Sequence, residues 1–262
     1  MSSIPTYKLV CPYLIFSLTP VHAGVGRGTE EHVDMPIQRD ALGIPVVWGS
    51  SIKGALRTAY RMSSKAIVES IADEEEKKKK EEEMRKRENA IFGPERGGAH
   101  EHASALMILD ATLLLLPVPS LKGITIFATT PLILERVKNI LDLRHNNMEY
   151  VNIINDIIDI YNKHDKTIAS NEKLLLNDKL IVKNQILDVV VDEELKNKFN
   201  ALLKDVSIPV SKELIVDNVV ILPDHIGINI LSKSTISVTR IALDYSKKVV
   251  REAALWTEEY VP

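Results

Sequence analysis

Three chemically able groups, His22, Asp34 and Arg39, fall within one polar stretch, HAGVGRGTEEHVDMPIQRD, residues 22 to 40. A carboxylate such as Asp34, within reach of a bound ribose, can take the 2′-hydroxyl proton or hold a divalent cation near a phosphate. Each group also has an ordinary explanation, Asp34 as a turn or capping residue and His22 as a structural loop histidine. The final TEEYVP adds Glu258, Glu259 and Tyr260 as further acid, base or hydrogen-bonding groups, or as an exposed polar tail. His100 and His102 alternate in a glycine-rich loop. Two histidines without a third or fourth ligand nearby argue against a metal-dependent hydrolase built on them with His22 and Asp34.

A second kind of chemistry is written in GSSIKGALR, residues 49 to 57. Gly49, Ser50 and Ser51 stand where a helix would begin, and the free N–H groups of a first turn, helped by two hydroxyls, can hold an anion. Lys53, Arg57, Arg61 and Lys65 follow at four-residue spacing, and no acidic residue lies between Asp40 and Glu69. Such a strip follows a phosphate backbone. The plain alternative is a capped helix whose basic side chains lie along its solvent side.

The elements that must position these groups follow from periodicity and turn residues. YKLVCPYLIFSL, residues 7 to 18, predicts a first strand, and the loop of residues 22 to 40 follows it. Residues 50 to 70 predict a helix with Ile52, Leu56, Ala59 and Ala66 on one side. ADEEEKKKKEEEMRKREN predicts a solvated helical projection. Strands are expected at residues 105 to 118 and 122 to 130 around a proline-containing turn, then helices in TPLILERVKNILDL and MEYVNIINDIIDIYNK. LLLNDKLIV suggests a hairpin turning at Asn177-Asp178, within residues 173 to 190. Two further helices, DEELKNKFNALLKD and LPDHIGINILSK, precede a strand pair around DYSKK. The order favours an α+β sandwich with helices on one face of a mainly antiparallel sheet.

Composition narrows the class. The chain has 262 residues, enough for one domain with insertions or two small ones. Its single cysteine, Cys11, excludes an internal disulfide and a cysteine zinc cluster, which suits a reducing cytoplasmic setting. Apolar runs stop short of the ~18 residues that span a membrane, and the N-terminus lacks a signal-peptide pattern. A net charge of −3 gives no general attraction to nucleic acid, so any such binding must be local.

Four segments in order, LTPVHAGVGRGTEEHVDMPIQRD, GIPVVWGSSIKGALR, DATLLLLPVPSLKGITIFATTPLILERV and ALWTEEYVP, resemble the repeated backbone subunit of the Cmr complex. This is the type III-B CRISPR effector, within the RAMP superfamily. The resemblance implies a single RAMP domain over residues 1–262, with a ferredoxin-like, RRM-related core. It also implies a charged insertion at about residues 71–102 and a thumb-like insertion at about 165–225. It implies stacking with further copies along a CRISPR guide RNA beside other Cmr subunits, and cleavage of complementary target RNA in the cytoplasm with a transient divalent ion, Mg or Mn.

Carried over by position, Gly49, Ser50, Ser51, Lys53, Arg57, Arg61 and Arg39 match guide-RNA contacts. Asp34 matches the aspartate on which cleavage depends, with a possible metal-binding role, and His22, Glu258 and Tyr260 match groups around it. A non-cutting, guide-binding filament subunit is the alternative. Family members continue past the EEY segment with a strand and a glycine-rich loop, whereas this sequence stops at Pro262, either because that part is short here or because the sequence stops before the native end.

Overall fold

The computed structural model describes residues 9–28, 33–94, 103–143, 147–244 and 246–262. The chain divides into two compact units, Met1–Leu9 with Val47–Ala111, and Val10–Val46 with Thr112–Pro262. His100 and His102 lie outside the described residues.

In the smaller unit, after β1 (Val46–Val47), the chain forms two helices, α1 (Gly49–Glu69) and α2 (Glu74–Phe92), and leaves through β2 (Ala111–Thr112). α1 has no side-chain cap of its own. Instead the Gly49 N–H donates to Asp110 Oδ1 at 2.7 Å. A Cβ at Gly49 would stand 2.1 Å from the Ile108 carbonyl oxygen, so only glycine lets the helix start this close to that strand of chain. α2 is capped by Asp73, whose Oδ1 accepts from the N–H groups of Glu75 and Glu76. Three glutamates in its first turn meet the positive end of the helix dipole.

The covered side of α1 differs from the expected one. Leu56 is 46% exposed, and Ala59 and Ala66 are exposed too, whereas Arg57, Tyr60, Ser64 and Val68 face inward. The cause is α2, which brings Phe92 against the Tyr60 ring, centroids 6.0 Å apart, and a buried carboxylate, Glu88, against the arginines.

The larger unit is built on β3 (Leu116–Ser120), β4 (Ile124–Thr129), β5 (Thr167–Ala169), β6 (Lys179–Val182), β7 (Gln185–Val191) and β8 (Val219–Ile221). These close into a barrel in the order β3-β4-β8-β5-β7-β6. An open sheet with helices on one face is therefore corrected to a mixed α/β fold around a closed barrel, with β4–β8 and β5–β7 parallel. Closure rests on one pairing, Ser120 with Val182. The reason lies in β3 itself: Pro117, near the end of the expected strand, and Pro119, expected in the turn, both sit inside the strand and offer no N–H to β6. The turn comes later, at Gly123 and Ile124, both at positive φ.

Alternation divides the core. Leu116, Val118, Ile126, Ala128, Ala169, Leu180, Val182 and Val220 fill the barrel. Ile168, Val219 and Ile221 face outward onto α3 (Pro131–Leu141), α4 (Met148–His164), α5 (Glu193–Leu202) and α6 (Lys212–Val216). α3 begins as expected, with Thr130 Oγ1 accepting from the Ile133 N–H and Pro131 at the first position. α7 (Asp224–Ser232) leads to a separate hairpin of β9 (Ile236–Asp244) and β10 (Val249–Tyr260).

Two further differences are local. Described residues 9 to 18 form no strand, and Leu9, Tyr13, Ile15 and Leu18 are exposed, because the ladder that begins at the Val21–Val261 pair does not extend back to them. Asn177 and Asp178 do turn, both at positive φ, but the hairpin of β6 and β7 reverses at Lys183 and Asn184.

Among the described residues no helix is long and apolar enough to cross a membrane.

Candidate functional site

β10 is the strand on which the chemical residues of the larger unit converge. One edge pairs with β9, and the other receives the loop of residues 22 to 40 in short bridges, Val21 with Val261 and Met35 with Glu258. Met35 N–H donates to the Thr257 carbonyl at 3.0 Å and Glu259 N–H to the Met35 carbonyl at 3.0 Å. Between them, Asp34 Oδ2 accepts the Thr257 N–H at 2.7 Å. Asp34 is exposed, so its other oxygen faces solvent.

Glu259 points to the opposite, buried face. Its Oε2 accepts the Ile37 N–H at 3.1 Å, and its Oε1 accepts from Thr235 Oγ1 at 2.6 Å and from the Arg39 guanidinium. Arg39 also donates to the carbonyls of Gly43 and Ser232, each at 2.7 Å. The fork expected at guide RNA is thus bonded within the fold, where it ties the loop to α7 and β10. Arg39 holds the site in shape.

His22 Nδ1 lies 2.7 Å from the Glu259 carbonyl oxygen, which can only accept. Nδ1 therefore carries a proton in either ring form, and Nε2 is the nitrogen left to gain or give up one. The ring stands against Tyr260 with centroids 5.4 Å apart. Gly24 leaves it room: a Cβ there would lie 2.6 Å from His22 Nε2.

Strand alternation puts Trp256, Glu258 and Tyr260 on one face of β10, and register puts Arg240 of β9 opposite Trp256. Glu258 accepts from Trp256 Nε1 at 2.8 Å, from the Tyr260 hydroxyl, and from Arg240 Nε at 3.3 Å. The Trp256 and Tyr260 hydrogen bonds, aided by Arg240, outweigh partial burial and depress its pKa to about 2. Glu258 is accordingly a fixed anion at neutral pH, suited to orienting Tyr260 and Arg240 rather than to carrying a proton.

In the smaller unit the basic stripe meets groups from distant sequence. Arg57 Nε and Arg61 Nε donate to the same Glu88 oxygen at 2.5 and 2.8 Å, and Lys53 Nζ donates to Ser104 Oγ at 2.7 Å. Burial pushes the Glu88 carboxyl up, but hydrogen bonds from Arg61 and Arg57 hold it below the usual range. Ser50 is exposed at the helix start, while the first anion there is Asp110, on the Gly49 N–H. Glu88→Gln should release two guanidinium groups. The expected result is a steeper salt dependence of affinity for a polyanion such as single-stranded RNA, by up to about two counterions, with stability lower by about 1–2 kcal/mol. Anisotropy titrations across a salt series and a denaturant melt would check both.

A profile of the RAMP superfamily matches residues 16–262, a span that takes in the 22–40 loop, α1 and β10. The chain belongs to the RAMP superfamily. The CRISPR system Cmr endoribonuclease Cmr4 of Pyrococcus furiosus is 32% identical over 253 residues, covering 95% of this RAMP chain and 76% of that protein. The crystal structure of oligomeric Cmr4 from Pyrococcus furiosus is similar at a TM-score of 0.58 and 26% identity, over 94% of this chain and 74% of that one. A chain of the type III-B Cmr-beta cryo-EM structure bound to cognate target RNA matches in fold, with a TM-score of 0.60 and 24% identity. That match covers 93% of this chain and 76% of the other.

Among the described residues no three His, Cys, Asp or Glu side chains gather to hold an ion. Asp34 offers one outward oxygen, which fits a divalent cation only if RNA and water complete its shell.

Sequence reasoning missed four supporting residues: Glu88, Asp110, Arg240 and the hub role of Glu259. Glu88 and Asp110 answer charges or N–H groups 31 and 61 residues away, so no local window reveals them. Arg240 had a signal that misleads. Counting from the turn places Ser237 opposite Trp256, but the register shifts between Val250 and Leu255 and brings Arg240 there instead.

Proposed function

We propose that this chain is a backbone subunit of a type III-B Cmr ribonucleoprotein in the cytoplasm, gripping guide RNA along α1 and cleaving complementary target RNA at regular intervals at the Asp34 site. The observation that carries the reading is that β10 collects Asp34, His22 and Tyr260 within the one matched span. Further copies of the chain and other Cmr subunits are its protein partners. Their stacking sets the interval between cuts, while base pairing with the guide selects the target.

In the reaction, Asp34 takes the proton of a displaced nucleotide's 2′-hydroxyl as the 2′-oxygen bonds to the adjacent phosphorus. The bond from phosphorus to the 5′-oxygen breaks, and that oxygen receives a proton from His22 Nε2 in its imidazolium form. In the alternative role, Asp34 would instead help RNA oxygens hold a divalent ion, which would supply neutralising charge at the phosphate. Ser50, Ser51 and Lys53 meet guide phosphates, with Arg57 and Arg61 contributing what Glu88 leaves of their charge.

The finer fold assignment, a ferredoxin-like core, is supported by the neighbours β3-β4-β8-β5. They pair antiparallel, parallel and antiparallel, with a hairpin at one edge. The β6–β7 hairpin is where we place the thumb.

The testing experiment assembles the complex with a guide and an end-labelled complementary target. Regularly spaced fragments ending in 2′,3′-cyclic phosphate and 5′-hydroxyl are expected. Fragments with 3′-hydroxyl ends would mean attack by water and would overturn the mechanism.

A further inference from the structure

Arg240 stands out among the cations of the larger unit by how it is held. Arg39 is partly buried, with donors directed to Glu259, Gly43 and Ser232. Arg240 is gripped from one side only: Nε donates to Glu258 at 3.3 Å and Nη2 to the Tyr260 hydroxyl at 2.8 Å. Its carbon Cζ lies 5.7 Å from the centroid of the Tyr260 ring, the same ring that His22 touches. Half of the side chain remains exposed. Nη1 and the second Nη2 hydrogen have no partner among the hydrogen bonds described and face outward.

An exposed arginine is ordinarily a mobile group of little energetic consequence. Two anchors and a ring contact convert this one into a fixed fork, and the anchoring anion, Glu258, stays ionised at neutral pH. A preset cation acts best where negative charge grows during reaction, because it needs no reorganisation at that moment. Guanidinium geometry matches two oxygens of one phosphate.

We propose that Arg240 is a further catalytic residue, its outward N–H groups meeting the non-bridging oxygens of the scissile phosphate and stabilising the phosphorane. This rests on the cleavage reading above. As the 2′-oxygen bonds to phosphorus and the 5′-oxygen departs, charge accumulates on those two oxygens, and Arg240 neutralises it without exchanging a proton.

The test uses the assembled complex with guide and labelled target, at saturating target under single-turnover conditions. It compares wild type with Asp34→Ala, Arg240→Ala, Arg240→Lys and Tyr260→Phe. Arg240→Ala should cut about 100-fold more slowly with target affinity within about two-fold and an unchanged melting temperature. Arg240→Lys should fall between, and added guanidinium ion should restore part of the Arg240→Ala rate but none of the Asp34→Ala rate. If Arg240→Ala cuts as wild type, or loses only target affinity, the proposal fails while a dead Asp34→Ala leaves the cleavage reading standing. A loss equal to that of Tyr260→Phe and deaf to guanidinium makes Arg240 a prop for Tyr260, which also overturns it. Unimpaired cutting by Asp34→Ala removes the cleavage reading and Arg240's role together.

Discussion

Asp34→Ala in the assembled complex should abolish regularly spaced target fragments while target binding stays within about two-fold of wild type. The size of the loss follows from the role: a positioned base contributes about 10²–10⁴-fold, and the neighbouring described carboxylate is not free to substitute. Glu258, the other carboxylate on that face, has its oxygens occupied by Trp256, Tyr260 and Arg240. The Asp34 side chain also accepts the Thr257 N–H, so a skeptic could attribute a dead variant to a loosened β10. Asp34→Asn separates the two explanations. Its amide oxygen still accepts from Thr257, but it is no base at neutral pH. Loss of cutting in both variants with intact binding assigns Asp34 to the chemistry; cutting by Asp34→Asn would reduce it to a clasp and leave the chain a non-cutting scaffold for guide RNA.

Glu259→Ala carries the largest expected cost in stability, about 3–5 kcal/mol by denaturant unfolding. Glu259 is 7% exposed, and its removal strands the Arg39 guanidinium, the Ile37 N–H and the Thr235 hydroxyl together. A Glu259→Ala, Arg39→Ala double variant should lose much less than the sum of the single losses, since the second change removes the charge that the first left unpaired. Strict additivity would show that the two side chains do not act as a pair. Because the Glu259 carbonyl, not its side chain, fixes His22, any cleavage defect should track unfolding and disappear under stabilising conditions.

Much of this arrangement could be read from the chain before its structure, and the exceptions share a cause. Thr130-Pro131 announces α3, and Asp192 ahead of Glu193 and Glu194 announces α5, because capping is local. The DYSKK turn correctly divides β9 from β10. Residues 7 to 18 misled because β-branched and aromatic content measures fitness for a sheet, not the presence of a neighbouring strand. Pro119 misled in the other direction: proline is tolerated inside a strand whose second edge is barely paired. In the site, the composition of the 22–40 loop pointed to Asp34 and His22, whereas the inward turn of Arg39 depends on Glu259, 220 residues later. The absence of acids between Asp40 and Glu69 suggested a bare positive strip, and Glu88 supplied the missing acid from another helix.

The barrel has a consequence for how the chain is made. β8 lies between β4 and β5, so Phe127 must wait for Val219 and Ile168 for Ile221 before either finds its neighbour. The hairpins β3–β4 and β6–β7 involve short loops and can form as soon as they emerge from the ribosome. Until Val219–Ile221 is synthesised, the inner edges of β4 and β5 stay unpaired and open to wrong partners. The Asp34 loop, made among the first 40 residues, meets β10 only as the last residues of this sequence appear. A nascent chain therefore carries Asp34 for 223 residues before Thr257, the residue whose N–H it accepts, is made.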